Sequence, residues 1–202
     1  MNDNDADRHA AKMAKKKAVR DKIMAAKTDR AKGLVIVHTG TGKGKSTAAF
    51  GMALRCLGRG MKVGVVQFIK GAWDTAEARV FEDFGDLADF RAMGEGFTWE
   101  TQDKARDMAA CRNAWEAARD MIADAGYAMV ILDELNVALR YGYLDLGEVL
   151  AALAARPAAT HVVVTGRNAP GELIEQADLV TEMKALKHPF RSGIKAQPGV
   201  EY

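Results

Sequence analysis

Cysteine is scarce in this chain. Two of 202 residues are cysteine, Cys56 and Cys111. They stand far apart in segments that read as helices, with no partner at metal-ligand spacing, so the expectation is two buried free thiols in a reducing compartment. Long apolar runs are missing too. Nothing approaches the roughly 18–20 residues of a membrane helix, and the charged N-terminus has no apolar signal core. A cytoplasmic protein without a membrane partner is expected. Nor is there an excess of one charge: 29 Lys and Arg face 27 Asp and Glu, a formal net charge of +2. That is too little to argue for nucleic acid as a partner. What remains is 49% hydrophobic and 28% charged, an ordinary globular composition, with length enough for one domain with a sizeable core.

The positive charge is unevenly placed. Residues 1–32 form a basic arm, with "MNDNDADRH" expected to be disordered and "AKMAKKKAVRDKIMAAKTDRAK" rich in helix formers but poor in residues to pack. The arm reads either as a solvated helix or tail, or as a mobile flap over a site. From residue 33 the chain alternates. Strands are predicted at 33–39, 62–68, 127–134, 161–167 and 178–183, with a short one at 89–93. Helices are predicted at 45–60, 74–85, 100–126, 144–157 and 170–177. There is no internal repeat and no long linker. Such alternation predicts an α/β domain over 33–202, a mostly parallel sheet with helices on both faces.

The most informative stretch is "HTGTGKGKSTAAFG", residues 38–51. A strand, a glycine-rich turn and a helix opening on Lys45, Ser46 and Thr47 is the setting of a phosphate loop. Gly40, Gly42 and Gly44 let the backbone curl so that N–H groups point inward, and the helix N-terminus adds free donors. Lys45 can neutralise phosphate oxygens, and the Ser46 hydroxyl can ligate Mg²⁺. The pattern is nevertheless off-register. The usual first glycine would fall five residues before Gly44, at Thr39, and an extra lysine stands at Lys43. "YAMVILDE" ends in Asp133 and Glu134 and resembles a Walker B strand. Neighbouring strand residues face opposite ways, so one carboxylate is expected to reach the metal and the other to orient. These features predict an ATP or GTP site of P-loop type.

No residue stands out as a base for a phosphoryl acceptor. His38 and His161 read as packed strand-end histidines, His9 lies in the arm, and His188 is site-adjacent at most. Beside the loop lies "MGEGFTWETQ", which puts Phe97 and Trp99 on a glycine-flanked loop. Local chemistry leaves open whether these rings pack in a core or face a ligand.

Together "TGTGKGKSTAAFG", "VGVVQFIKG", "GFTWETQ", "VILDELNVALRYGYL" and "KHPFRSGIKAQPGVEY" resemble the ATP:cob(I)alamin (corrinoid) adenosyltransferases of the BtuR/CobA/CobO type. The resemblance runs from about Gly33 to the C-terminus. It implies a RecA-like P-loop fold, a homodimer, and transfer of the 5′-deoxyadenosyl group of ATP to Co(I) of a corrinoid. That acceptor is cob(I)alamin or cob(I)yrinic acid a,c-diamide, in cobalamin synthesis or salvage, and inorganic triphosphate leaves whole. It implies that Gly40, Thr41, Gly42, Lys43, Gly44, Lys45, Ser46 and Thr47 bind the triphosphate, with Arg55 and Arg167 linked to nucleotide binding. Ser46, Glu134 and Asp133 are implied for Mg²⁺ or Mn²⁺. Phe97 and Trp99 are implied beneath the corrin, excluding a lower axial ligand so that Co(II) is more easily reduced. An electron donor, a flavodoxin or flavin reductase, is implied as partner, and the arm as a flap closing over the corrin. The absent base is then no puzzle, since Co(I) is a nucleophile with no proton to lose. A nucleotide gripped in reverse, as a leaving group, would suit the shifted glycines. The competing expectations are a small-molecule kinase or ATPase releasing ADP, a carrier that binds without turnover, and a RecA-like nucleic-acid motor.

Overall fold

The structure is a computed structural model that describes residues 3–27, 32–69, 76–94 and 103–200. It divides into two compact units, Met1–Ala31 and Lys32–Tyr202. In the first unit a single helix, α1, runs over Asp3–Ala25. The expectation of disorder over 1–9 is therefore corrected from Asp3 onward. Asp5 and Asp7 lie near the end of the helix where negative charge is favoured, and strong helix formers follow. Lys17 and Asp21 pair one turn apart at 2.8 Å.

The second unit contains β1 (Val35–Thr39), α2 (Lys45–Leu57), β2 (Val63–Gln67), α3 (Ala76–Glu82), β3 (Ala88–Ala92) and α4 (Lys104–Ala123). After these come β4 (Met129–Asp133), α5 (Leu135–Arg140), α6 (Leu146–Ala155), β5 (His161–Thr165), α7 (Gly171–Gln176) and β6 (Leu179–Glu182). The strands form one six-stranded sheet in the order β3-β2-β4-β5-β1-β6, and every pairing is parallel. Two elements differ from expectation. The helix predicted over 74–85 is Ala76–Glu82, followed by a separate 3₁₀ turn at Gly85–Leu87, because Gly85 takes a φ of 53°. The reading had no element at 135–143, where α5 lies. Six residues are too few to display a helical period.

Alternate residues of each central strand enter different cores. Val35 and Val37 of β1, Val130 and Leu132 of β4, and Val162 and Val164 of β5 pack with Trp115 and Met121 of α4, Leu153 of α6 and Leu173 of α7. Ile36, Ile131 and Val163 face the other way, onto Ala49, Phe50 and Ala53 of α2 and Phe81 of α3. An α/β sheet covered by helices on both faces is thus the observed architecture. On the α2 side, Phe50, Phe81 and Phe90 have ring centroids 5.4–6.0 Å apart. Both cysteines are buried and unbridged. Burial pushes the Cys111 thiol up to about 11, which makes it inert at neutral pH.

The entry to β1 is pinned by Asp178. Its carboxylate accepts the Val35 N–H at 2.9 Å and pairs with Lys32, while Arg156 lies 3.8 Å away. The Lys32 contact and then the Val35 N–H hold the Asp178 carboxyl below its ordinary value. Its contribution is therefore fully present above about pH 4, the unfolded value, and is lost as acid takes the pH through the lowered one. Asp178→Asn will melt below wild type at pH 7, and the gap will close as the pH falls toward 3. A gap independent of pH would contradict this. Gly33 and Gly51 make an opposed pair. A Cβ at Gly33 would stand 2.1 Å from the Thr160 carbonyl oxygen, whereas at Gly51, inside α2, it meets nothing within 4 Å. Gly33→Ala should cost about 3 kcal/mol, lowering Tm by roughly 6–12 °C. Gly51→Ala should raise Tm by about 1–4 °C. Thermal denaturation followed by circular dichroism checks both.

Candidate functional site

Parallel strands finish on the same side, and here their last residues form a row. Gln67 lies beside Asp133. Leu132 pairs with Val164, which sets Asp133 beside Thr165. His38 pairs with Thr165 and Thr39 with Glu182. Four apolar strands therefore each end in a polar residue, and Thr39, Gln67, Asp133 and Thr165 are all buried.

The glycine-rich loop leaves β1 at this rim. Gly40 and Gly44 take φ of 95° and 102°, a region that L side chains rarely enter. Gly44 caps α2 without any side-chain hydrogen bond, so no side-chain oxygen competes for the first N–H groups of that helix. Lys45 is buried and bends back over its own loop, donating to the carbonyls of Gly40 at 3.1 Å and Gly42 at 2.7 Å. Burial is the main cause that lowers its pKa. Glu134 opposes the shift, Arg167 adds to it, Asp133 opposes it and Lys43 adds to it. The charges expected at the site thus converge on this one ammonium. Beneath it, the His38 Nδ1–H donates to the Lys45 carbonyl at 3.2 Å.

The shifted glycines answer first to a backbone neighbour. The chain leaving β6 crosses the loop: the Gly42 N–H donates to the Met183 carbonyl at 2.7 Å, and the Met183 N–H to that of Thr39 at 2.9 Å. A Cβ at Gly40 would lie 2.4 Å from the Met183 oxygen, and one at Gly42 would lie 2.8 Å from the Lys184 carbonyl carbon. The expectation that successive loop N–H groups all point inward is corrected at Gly42, whose donor is already engaged.

Asp133 closes β4 with no solvent exposure. Its Oδ2 accepts the Gln67 amide at 2.9 Å and its Oδ1 the Thr165 hydroxyl at 2.7 Å. It forms no ion pair among the described residues. Glu134 leaves the strand entirely, with φ 62° and ψ 20°, and caps α5. Its N–H donates to Thr165 Oγ1 at 2.9 Å. A Cβ at Gly166, where φ is 129°, would come within 3.2 Å of Glu134 Oε2. This turn frees the two carboxylates from strict strand alternation. The chemistry of Ser46, Asp133 and Glu134 is all oxygen and fits a hard divalent cation. No cluster of three or more His, Cys, Asp or Glu exists among the described residues.

The other predicted residues are distributed as follows. Thr41, Lys43 and Thr47 are exposed on the loop and Ser46 is half-buried. Arg167 is exposed next to Gly166. Arg55 is not brought into the cluster. It is exposed in the last turn of α2, about 15 Å along the helix axis from Lys45. Phe97 and Trp99 lie outside the described residues. His161 and His188 are engaged as acceptors of the Leu34 and Phe190 N–H groups. Sequence reasoning missed Gln67, Thr165 and Met183. The first two did carry a signal, a lone polar residue ending the runs "VGVVQ" and "HVVVT". Met183 carried none.

Known proteins match this chain along nearly its whole length. Residues 31–202 fit the family described as ATP:corrinoid adenosyltransferase BtuR/CobO/CobP, and residues 1–24 fit the Cob(I)alamin adenosyltransferase N-terminal model. A corrinoid adenosyltransferase of a Sinorhizobium species is 61% identical across 99% of this chain and 94% of its own. One from Pseudomonas aeruginosa is 55% identical, covering 96% of each. One from Escherichia coli K12 is 47% identical across 91% of this chain and 94% of its own. A glycine-rich loop that opens α2, two carboxylates at the end of β4 and this extent of likeness agree: the chain belongs to the ATP:corrinoid adenosyltransferase family.

Proposed function

We propose that this corrinoid adenosyltransferase works by aligning ATP and a reduced corrinoid on the rim of a RecA-like P-loop sheet. The observation that carries the reading is the glycine-rich loop curled around the buried Lys45 at the start of α2, on the same sheet rim as Asp133 and Glu134. The strand–loop–helix order and the sheet order β3-β2-β4-β5-β1-β6 support the P-loop assignment. The triphosphate lies against the loop from Gly40 to Thr47. Lys45 exchanges the Gly40 and Gly42 carbonyls for phosphate oxygens, and the uncapped N–H groups of α2 take up further charge. Lys43 and Arg167 meet the outer phosphates. Ser46, Asp133 and Glu134 hold Mg²⁺ or Mn²⁺, which when bound neutralises part of the leaving group's charge.

In the reaction the cobalt electron pair forms a Co–C bond to C5′ of the ribose. The C5′–O bond breaks, and its pair departs with the triphosphate. No proton moves, so the residues align the partners and stabilise the departing charge. Phe97 and Trp99 cover the lower corrin face and exclude an axial ligand, easing reduction of Co(II) by a flavodoxin or flavin reductase. The active form is a homodimer, and the arm at 1–32 acts as a flap on the corrin.

Anaerobic incubation with ATP, Mg²⁺ and chemically reduced cobalamin should yield inorganic triphosphate and a light-sensitive Co–C bond. ADP with unalkylated cobalt would indicate the kinase or ATPase reading instead. Phe97→Ala and Trp99→Ala should depress adenosylation that starts from Co(II) far more than ATP binding. Equal losses in both assays would remove the rings from the corrin face.

A further inference from the structure

The proposed metal site has a neighbour with no assigned task. Thr165 ends β5 fully buried, and its one hydroxyl joins the Asp133 carboxylate to the Glu134 backbone: it donates to Asp133 Oδ1 at 2.7 Å and accepts the Glu134 N–H at 2.9 Å. Gln67 reaches Asp133 Oδ2 from the opposite strand at 2.9 Å. We propose that Thr165 and Gln67 are positioning residues for the adenosyl transfer, which fix the Asp133 carboxylate in one pose and set the left-handed turn that aims Glu134. This rests on the metal-ligating role proposed above for these two carboxylates.

The argument is one of constraint. A carboxylate without solvent must find donors, or it rises in energy by several kcal/mol. Here both donors are neutral. They orient Asp133 without cancelling its charge, and each oxygen keeps a lone pair for a cation. A lysine or arginine in either place would compete with that cation. Thr165 also decides where Glu134 goes. A non-glycine residue at φ 62° is strained, and the hydrogen bond from its N–H to Oγ1 holds it there. Removing the hydroxyl takes a hydrogen bond from a buried acceptor and from a backbone donor together. Gln67 bears a cost that supports its role. Its Oε1 is buried with no hydrogen-bond partner among the described residues, a penalty that an apolar residue would avoid. The side-chain amide makes its hydrogen bond among the described residues to Asp133. Partners that orient a metal's ligands typically govern affinity by about 10–100-fold.

The test measures Mn²⁺ binding to the protein–ATP complex by electron paramagnetic resonance, with no corrinoid present, beside kcat, KM for ATP and Tm. Omitting the corrinoid separates this result from the identity of the reaction, which wild-type product analysis decides. Thr165→Val keeps the shape and removes the hydroxyl; Thr165→Ser keeps the hydroxyl. The expected result is Mn²⁺ affinity about tenfold weaker in Thr165→Val, kcat reduced at subsaturating metal, KM for ATP at saturating metal little changed, and wild-type affinity in Thr165→Ser. Gln67→Met should weaken Mn²⁺ in the same direction, and it decides the matter should Thr165→Val not fold. Unchanged Mn²⁺ affinity in a folded Thr165→Val or Gln67→Met overturns the proposal. So does equal weakening in Thr165→Ser and Thr165→Val.

Discussion

A buried carboxylate that forms no ion pair among the described residues is the constraint on which this site depends. Asp133 sits at the end of β4 with no solvent exposure, hydrogen-bonded to an amide and a hydroxyl. The low polarisability of a close-packed interior makes such a group expensive. It can be kept only where neighbouring strands deliver donors at fixed places, and a parallel sheet does this. Register sets Gln67 and Thr165 on either side of Asp133, while two well-packed cores hold the strands in that register. The fold's rigidity and the site's geometry are one fact seen from two sides.

The glycine-rich loop follows similar logic in backbone form. Its buried lysine is satisfied by loop carbonyls, and its N-terminal helix donors have no side-chain cap. The loop therefore holds its curl through its own contacts and those of Met183, before any phosphate enters. Electrostatic preorganisation of this kind requires little rearrangement when charge arrives.

Much of this was legible in the sequence, for local reasons. The strand–loop–helix passage, the carboxylate-ended strand and the α/β alternation are patterns of adjacent residues, and each predicted strand and helix from 33 onward has its counterpart within a few positions. Two kinds of information were not. Short elements lack a period to detect, so α5 was missed, and the left-handed turn at Glu134 gives no sign in residue type. Contacts between distant segments leave no local trace either. That Gly40 and Gly42 make room for Met183 and Lys184, and that one threonine serves the Asp133 carboxylate and the Glu134 N–H, depends on which strands the topology sets side by side. Polar residues closing otherwise apolar runs were the visible clue, and it was passed over.

The crossing of β6 over the loop has a consequence for biosynthesis. The loop emerges early from the ribosome, yet Gly42 finds Met183 only after about 140 further residues have been made, and β1 gains its outer neighbour at the same late stage. Pairing across so long a separation is slow to form. A nascent chain in which β1 to β5 have already assembled therefore carries an open sheet margin along β1 and a loop without its Met183 brace. The curl of the loop is thus completed late, by the chain that leaves β6.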